Sequence, residues 1–380
     1  MDIDKLNQEV DGIDDQILKL FEQRMELSQK IGQSKEELSL PAMDTERERK
    51  ILYRLCEKAK PELSGYVKVL FSSLFEIGRS HQKTLSSHYD SSVIKLINDA
   101  VAQKLEAFPS RATVACQGVE GAYSQAACDK LFSPADITYF TSFEGVFQAV
   151  EGGLCHYGVV PLENSTAGSV NEVYDLMNRY RFYIIRSVKL PIAHTLLAAP
   201  GAKLDDIKEV FSHEQAIRQC SKFLKSWNGV KITECANTAL AAKQAASSGR
   251  TDAAVISSRD CAELYGLHAL SFNIQNTDNN YTRFICISKK PEIYPGAQKT
   301  SLILALKHKP GSLYSVLAKF YAHGINMNKL ESRPILGQAF EFMFYFDIDT
   351  PVITEELKLV LAELEQETDM FDFLGTYQEI

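Results

Sequence analysis

Ile3, Leu6, Val10, Ile13, Ile17, Leu20, Leu27 and Ile31 recur at alternating steps of three and four, with Arg24 on the same line between Leu20 and Leu27. This is the heptad spacing of a single long helix, about 45 Å if some thirty residues run unbroken at about 1.5 Å each. Pro41 then breaks the chain, and Thr45-x-x-Glu48 has the form of a capping box opening a second helix with Ile51, Leu52 and Leu55 as its apolar positions. A third helix follows Ser64, with Val67, Leu70, Phe71, Leu74 and Phe75 inward and Gly78 and Gln82 continuing the stripe. Three helices, one of them very long, cannot bury such stripes alone, which predicts an intertwined dimer.

A guanidinium in an apolar stripe is costly unless an anion meets it, so Arg24 is a candidate ligand-binding cation. Lys35, eleven residues on and about three turns away, projects from nearly the same face. On spacing alone a second reading stands beside this one: Arg24 as a register-fixing polar residue, with Lys35 solvated. Arg47 and Glu48 lie one turn before Ile51 and Leu52 and are expected on that helix's inner face.

The rest of the 380-residue chain changes character, and two or three domains are expected. Net charge is −8 without a Lys/Arg block, which argues against a nucleic-acid or anionic-membrane surface. Cysteines at 56, 116, 128, 155, 220, 235, 261 and 286 are scattered, without C-x-x-C or zinc-ligand spacing, and read as small buried hydrophobes in a reducing compartment. The start has no apolar h-region and no run is long enough to span a bilayer, so a cytoplasmic location is expected.

Residues 84 to 91, rich in Ser and His, interrupt the helical pattern, and Val93 to Leu105 is expected to form one connecting helix. Short apolar runs then alternate with helical stretches, the mark of an α/β region. Thr113 to Cys116 leads into Gly118-Val119-Glu120-Gly121 and a helix, a structural turn or a carboxylate pocket but not a nucleotide fingerprint. Gly158 to Leu162 is a buried strand followed by Glu163-Asn164-Ser165-Thr166-Ala167-Gly168-Ser169, polar groups at a strand's carboxyl end where open α/β sheets bind ligands. Val210-Phe211-Ser212-His213-Glu214-Gln215-Ala216, Ile274-Gln275-Asn276 and Asn279-Asn280-Tyr281-Thr282-Arg283-Phe284 follow, the last at the lip of another buried strand.

After Pro291 to Gly296, the order is strand from Ser301, helix from Gly311, strands Ile325 to Leu330 and Phe340 to Ile348, helix from Thr354, and a last strand Leu374 to Gln378. That βαββαβ order is ferredoxin-like.

These stretches carry a resemblance. The Glu163 to Gly168 run, the Ser212-His213 and Gln275-Asn276 segments and Thr282-Arg283-Phe284 resemble, in order, the motifs of prephenate dehydratases, with Glu214 and Asn276 departing from the family's usual Pro and Asp. The helical region resembles the all-helical chorismate mutases. Pro310-Gly311-Ser312-Leu313 and Glu331-Ser332-Arg333-Pro334 resemble the effector motifs of ACT domains.

The resemblance implies a multidomain chain: an all-α mutase domain over 1–88, a linker over 89–111, an α/β dehydratase domain of two hinged lobes like periplasmic ligand-binding proteins over 112–289, and an α+β ACT domain over 299–380. It implies conversion of chorismate to prephenate and of prephenate to phenylpyruvate, with phenylalanine as effector, no cofactor and no metal. In the mutase it places Arg24 on a carboxylate, Lys35 and Gln82 on the ether oxygen and Glu48 on the ring hydroxyl, supported by Asp44 and Arg47. Asn7 stands where the family has an arginine reaching into the partner's site, and Gly78 where a serine is common. In the dehydratase it places Thr282 on the departing hydroxyl, Arg283 on a carboxylate or as a brace, Phe284 within the catalytic motif, and Asn164, Ser165 and Thr166 as donors from the opposite lobe. The effector is expected at Gly311, Ser312, Leu313, Glu331, Ser332, Arg333 and Pro334. A monofunctional dehydratase using its helices only to dimerise, and a non-catalytic amino-acid sensor, are the competing readings.

Overall fold

The computed structural model describes residues 3–38, 44–85, 91–227, 229–335, 342–349 and 354–380. The chain divides into two compact units, a helical one built on the first 85 residues and a larger one holding most of Ser92 to Ile380.

The helical unit consists of α1 (Ile3–Glu37), α2 (Thr45–Lys58) and α3 (Ser64–Leu85). Asp44, not Thr45, caps α2: its carboxylate accepts from the Arg47 amide at 2.9 Å, so the capping signal lies one residue earlier than the Thr-x-x-Glu spacing suggested. Along α1 every side chain from Ile3 to Leu20 is exposed, Ile3 at 70% and Leu20 at 64%. Its contacts within the chain are made further on, where Arg24, Met25, Ser28 and Gly32 lie against α3.

The larger unit holds two sheets. The first contains β1 (Ala112–Gln117), β2 (Ala135–Phe140), β3 (Tyr157–Asn164), the short β4 (Gly168–Ser169) and β5 (Tyr183–Pro191). The second contains β6 (Thr195–Ala198), β7 (Glu209–Ser212), β8 (Lys231–Glu234), β9 (Ala253–Ser257) and β10 (His268–Ser271), in the order β10-β6-β9-β7-β8. The chain then returns to the first sheet as β11 (Tyr281–Ser288), which lies between β5 and β3 and is antiparallel to both. Two segments therefore cross between the sheets, 192–194 and 272–280. Strands such as β9 and β11 read as unbroken apolar runs because helices and neighbouring strands cover both their faces.

The terminal strands β12 (Lys299–Ala305), β13 (Asn326–Pro334), β14 (Phe342–Asp349) and β15 (Met370–Glu379), with helices Ser312–Ala322 and Glu355–Glu367, complete the expected βαββαβ order. They are arranged β13-β14-β12-β15, and β15 continues into the first sheet by pairing in parallel with β5 through Gln378 and Glu379. The last strand is thus longer than its apolar run predicts, and part of the excess is what joins it to β5.

Between the units' sequences, the expected linker holds the helix α4 (Ser92–Ala102), whose Val93, Ile97 and Ala100 are buried and whose Val93 amide donates to Glu365 at 3.2 Å. Residues 86–90, of which only 89 and 90 belong to the expected linker, and the first two of the strand expected from Phe340 lie outside the described residues. Among the described residues no helix is long and apolar enough to cross a membrane.

Candidate active sites

Thr282 of β11 and Asn164, the last residue of β3, are register partners on adjacent strands. Both are buried. Asn164 Oδ1 accepts from the backbone amides of Thr166 at 3.0 Å and Ala167 at 2.9 Å. Only a carbonyl oxygen can meet two N–H groups, so the orientation of the Asn164 amide is decided by the backbone. Its Nδ2 must then face Thr282 Oγ1 at 2.9 Å and Asn280 Oδ1 at 2.8 Å. Thr282 Oγ1 accepts this hydrogen and keeps its own O–H to donate elsewhere. Asn280 Nδ2, in a residue only 1% exposed, has no partner among the described residues.

Ser165 stitches the loop to β11: its Oγ donates to Asn279 O at 3.1 Å and accepts from Tyr281 N at 2.9 Å. Thr166 Oγ1 donates to Asn164 Oδ1 at 2.7 Å and accepts from Gln219 Nε2 at 2.8 Å. Asn164, Ser165 and Thr166 therefore come from the same sheet as Thr282, and the expectation that they approach from the opposite lobe is corrected. Strands β3 and β11 are hydrogen-bonded neighbours although about 120 residues separate them in sequence. The group that does arrive from the second sheet is Gln219, at the end of the helix Glu214–Gln219.

His213 caps that helix, its Nδ1 accepting from Gln215 N at 3.3 Å. Asn276 clamps the helix's far end, donating through Nδ2 to Arg218 O at 3.1 Å and accepting at Oδ1 from Lys222 N at 2.9 Å. In the glycine turn, the Gly121 amide is taken by Gln125 Oε1 at 2.7 Å, which favours the structural reading of that turn over a carboxylate pocket.

In the helical unit, Arg24 Nη1 donates to Leu74 O at 2.8 Å, and the guanidinium lies 5.4 Å from the centre of the Phe75 ring. Burial lowers its pKa, against which the charge of Glu48 acts. Glu48 is ion-paired with Arg79, and Gln82 Nε2 donates to Ser28 O. A Cβ on Gly78 would stand 3.3 Å from Ser28 Oγ and 3.7 Å from Arg24 Nη1, so Gly78 makes room for the guanidinium. Lys35 is half-buried on α1. Asn7, Asp44 and Arg47 are exposed, and Arg47 does not share the inner face expected of it: the helical repeat turns Glu48, Ile51, Leu52 and Leu55 inward instead.

A family model described as prephenate dehydratase matches residues 114–292, and one described as chorismate mutase type II matches residues 6–83. The bifunctional chorismate mutase/prephenate dehydratase of Escherichia coli (strain K12) is 31% identical over 382 residues, covering 98% of this chain and 95% of its own. The chain belongs to the bifunctional chorismate mutase/prephenate dehydratase family. It is an isomerase and a carbon–oxygen lyase of phenylalanine biosynthesis. Arogenate dehydratase/prephenate dehydratase 1, chloroplastic, of Arabidopsis thaliana is 33% identical over 366 residues, covering 90% of this chain and 93% of its own. A solved prephenate dehydratase from Arthrobacter aurescens in complex with L-Phe aligns with a TM-score of 0.65 at 28% identity, covering 70% of this chain and 90% of that one.

Within this bifunctional chain, two residues of the dehydratase motif lie away from the Thr282 hydroxyl. Strand alternation turns Arg283 to the other face of β11, where it is 4% exposed and meets Glu163 Oε1 at 3.1 Å and Glu379 Oε2 at 3.0 Å, together with Asp347 and the Tyr377 hydroxyl. Burial opposes its charge, and the facing Tyr377 and Asp347 more than restore it, so its pKa is raised. Glu163 likewise overcomes its burial through Lys329 and Arg283, which hold its carboxyl below the usual range. A guanidinium paired with these carboxylates braces β11 to the terminal module. Phe284 lies beyond a register shift in β11 and packs in the core with Val114, Cys116, Val159 and Val188.

The residues of the effector motifs also have defined surroundings. Gly311 precedes its helix at φ 90°, a conformation that disfavours any side chain, and Ser312 Oγ donates to Lys307 O at 2.7 Å; Leu313 is in that helix. On β13, Glu331 accepts from Ser169 Oγ at 2.9 Å and Arg333 reaches both Asp175 oxygens at 2.9 and 3.0 Å, while Ser332 and Pro334 are exposed. Among the described residues no group of three His, Cys, Asp or Glu could hold a metal. Gln219, His194 and Arg79 are the site residues that sequence reasoning missed. Each is a lone polar residue with no spacing signal of its own.

Proposed function

We propose that Thr282 is the donor to the leaving hydroxyl of prephenate. The observation that carries this is the Asn164 amide, locked by two backbone N–H groups so that its Nδ2 faces Thr282 Oγ1 at 2.9 Å. In the reaction the bond from the ring to its carboxylate breaks and leaves as CO2. That electron pair moves through the ring, aromatises it, and expels the hydroxyl, which leaves as water once it gains a proton. Thr282, with the high pKa of an alcohol, polarises the departing oxygen or relays a proton rather than acting as a free acid. Its burial keeps water from competing for that hydrogen bond.

For the mutase step we infer that Arg24, Lys35, Glu48 and Gln82 hold chorismate in its compact conformer and stabilise charge on the breaking ether oxygen, chemistry that needs no nucleophile. The exposed seam of α1 supports a second copy of this chain as its cover. The two sheets joined by two crossings are read as hinged lobes of the periplasmic-binding type. The terminal βαββαβ module is read as an ACT domain that binds phenylalanine and lowers dehydratase activity, a reading supported by the L-Phe complex of the Arthrobacter aurescens relative.

Purified protein given chorismate alone, with and without phenylalanine, tests this reading. Phenylpyruvate formed above the protein-free rate and suppressed by phenylalanine is expected. Chorismate left unconsumed, with prephenate still turned over, would make this a lone dehydratase; phenylalanine binding without any turnover would make it a sensor. Arogenate offered in parallel decides between the two ring substrates.

A further inference from the structure

The direction of every hydrogen bond leading to Thr282 can be worked backward. Asn164 Oδ1 is an acceptor, so Thr166 Oγ1 spends its proton on it at 2.7 Å, the only other taker among the described residues being the acceptor Asn280 Oδ1 at 3.3 Å. Thr166 can then only accept from Gln219, at 2.8 Å, which makes the near atom of that amide nitrogen. The other end, Gln219 Oε1, is therefore an acceptor, and it faces His194 Nε2 at 2.7 Å. The imidazole must carry its proton on Nε2, and in the neutral ring Nδ1 is bare. Nδ1 has no hydrogen-bond partner among the described residues, so no acceptor there holds the proton on that nitrogen.

His194 is built into the place where the two crossing segments meet. Its backbone amide donates to Gln275 Oε1 at 3.0 Å and its carbonyl accepts from Ile274 N at 3.0 Å. The preceding Ala193 is fastened to Tyr123, whose hydroxyl donates to Ala193 O at 2.6 Å. The residue is 3% exposed and burial lowers its pKa, which keeps the ring neutral.

We propose that His194 is a positioning residue for the dehydratase reaction: by donating from Nε2 it prevents the Gln219 amide from flipping, and so keeps Thr166, Asn164 and Thr282 oriented with the Thr282 proton free for substrate. Without that donor, Gln219 can present oxygen to Thr166 and draw its proton away from Asn164. His194 touches no substrate in this scheme. The inference rests on Thr282 being the donor, and Thr282→Ala assayed alongside tests that premise separately, since its turnover does not depend on what happens at position 194.

The test compares His194→Phe, which fills the space without a donor, with His194→Gln, which restores an N–H at similar reach. His194→Phe is expected to lower dehydratase kcat roughly tenfold, about the worth of one hydrogen bond, with KM for prephenate and mutase activity little changed. His194→Gln is expected to recover most of the loss. Equal losses in both variants, a loss confined to KM, or no loss would overturn the proposal. If His194→Phe does not fold, 15N NMR of the wild-type imidazole decides: a neutral ring protonated on Nε2 is expected, and a ring protonated on Nδ1 would refute it.

Discussion

Around Thr282 nearly every polar group is answered by another group of the same unit, whereas the helical unit leaves a whole helix face and several of its candidate ligands in the open. Asn164, Thr166 and Gln219 form a chain whose hydrogen-bond directions are dictated by two backbone amides. In the helices Arg24, Glu48 and Gln82 are anchored from within, while Asn7, Asp44 and Arg47 and the seam from Ile3 to Leu20 are exposed. The contrast follows from architecture. A sheet with inserted crossings brings distant segments of one chain together, but a long helix with a single stripe has too few neighbours in its own chain to bury it. One site is completed by folding, and on this account the other is completed by association.

The largest effect on the helical unit should come from charging the seam. If a second copy covers the seam as proposed, Ile13→Glu with Ile17→Glu is expected to leave only monomers in sedimentation and to take mutase activity down by roughly a hundredfold or more, since a charged seam cannot pair. Dehydratase kcat in the same protein should change by less than about twofold if its site is self-contained. Next comes Asn164→Asp, which keeps shape but removes the donor. The Thr282 proton would turn to the carboxylate, and dehydratase kcat should fall roughly a hundredfold with mutase activity unchanged.

A smaller effect is expected from pH. Burial lowers the pKa of His194 from its ordinary 6.5, so the unfolded chain binds this proton more readily than the folded one. Its contribution to stability is complete above about pH 6.5 and is lost as pH falls below it. Thermal unfolding of the larger unit should therefore move down in temperature from pH 7.5 to about 5.5, and less so in His194→Gln. Smallest should be Gly78→Ser: the added Cβ meets only side-chain atoms of Ser28 and Arg24, at 3.3 and 3.7 Å, and mutase kcat/KM should stay within about threefold.

How much of this was legible beforehand differed between the two units. The heptad spacing read α1, because helical periodicity is local and survives without tertiary context. The motif at Thr282 and the loop after Asn164 were legible as polar clusters at strand ends. What could not be read was which strands would be neighbours. That Thr282 pairs with Asn164, and that Arg283 therefore points away toward Asp347 and Glu379, depends on β11 returning between β3 and β5 after an excursion of some ninety residues through the second sheet. Gln219 and His194 were invisible for the same reason: each matters only through a contact made across that excursion. The stretch taken as a linker illustrates the converse, since α4 has an apolar face and packs against the helix Glu355–Glu367.

The most direct measurement is the product made from chorismate by Thr282→Ala. The variant should consume chorismate at the wild-type rate and accumulate prephenate, with phenylpyruvate reduced by roughly a thousandfold or to the protein-free rate. Phenylpyruvate forming at the wild-type rate would contradict the assignment of Thr282, and chorismate left untouched by both variant and wild type would contradict the mutase site.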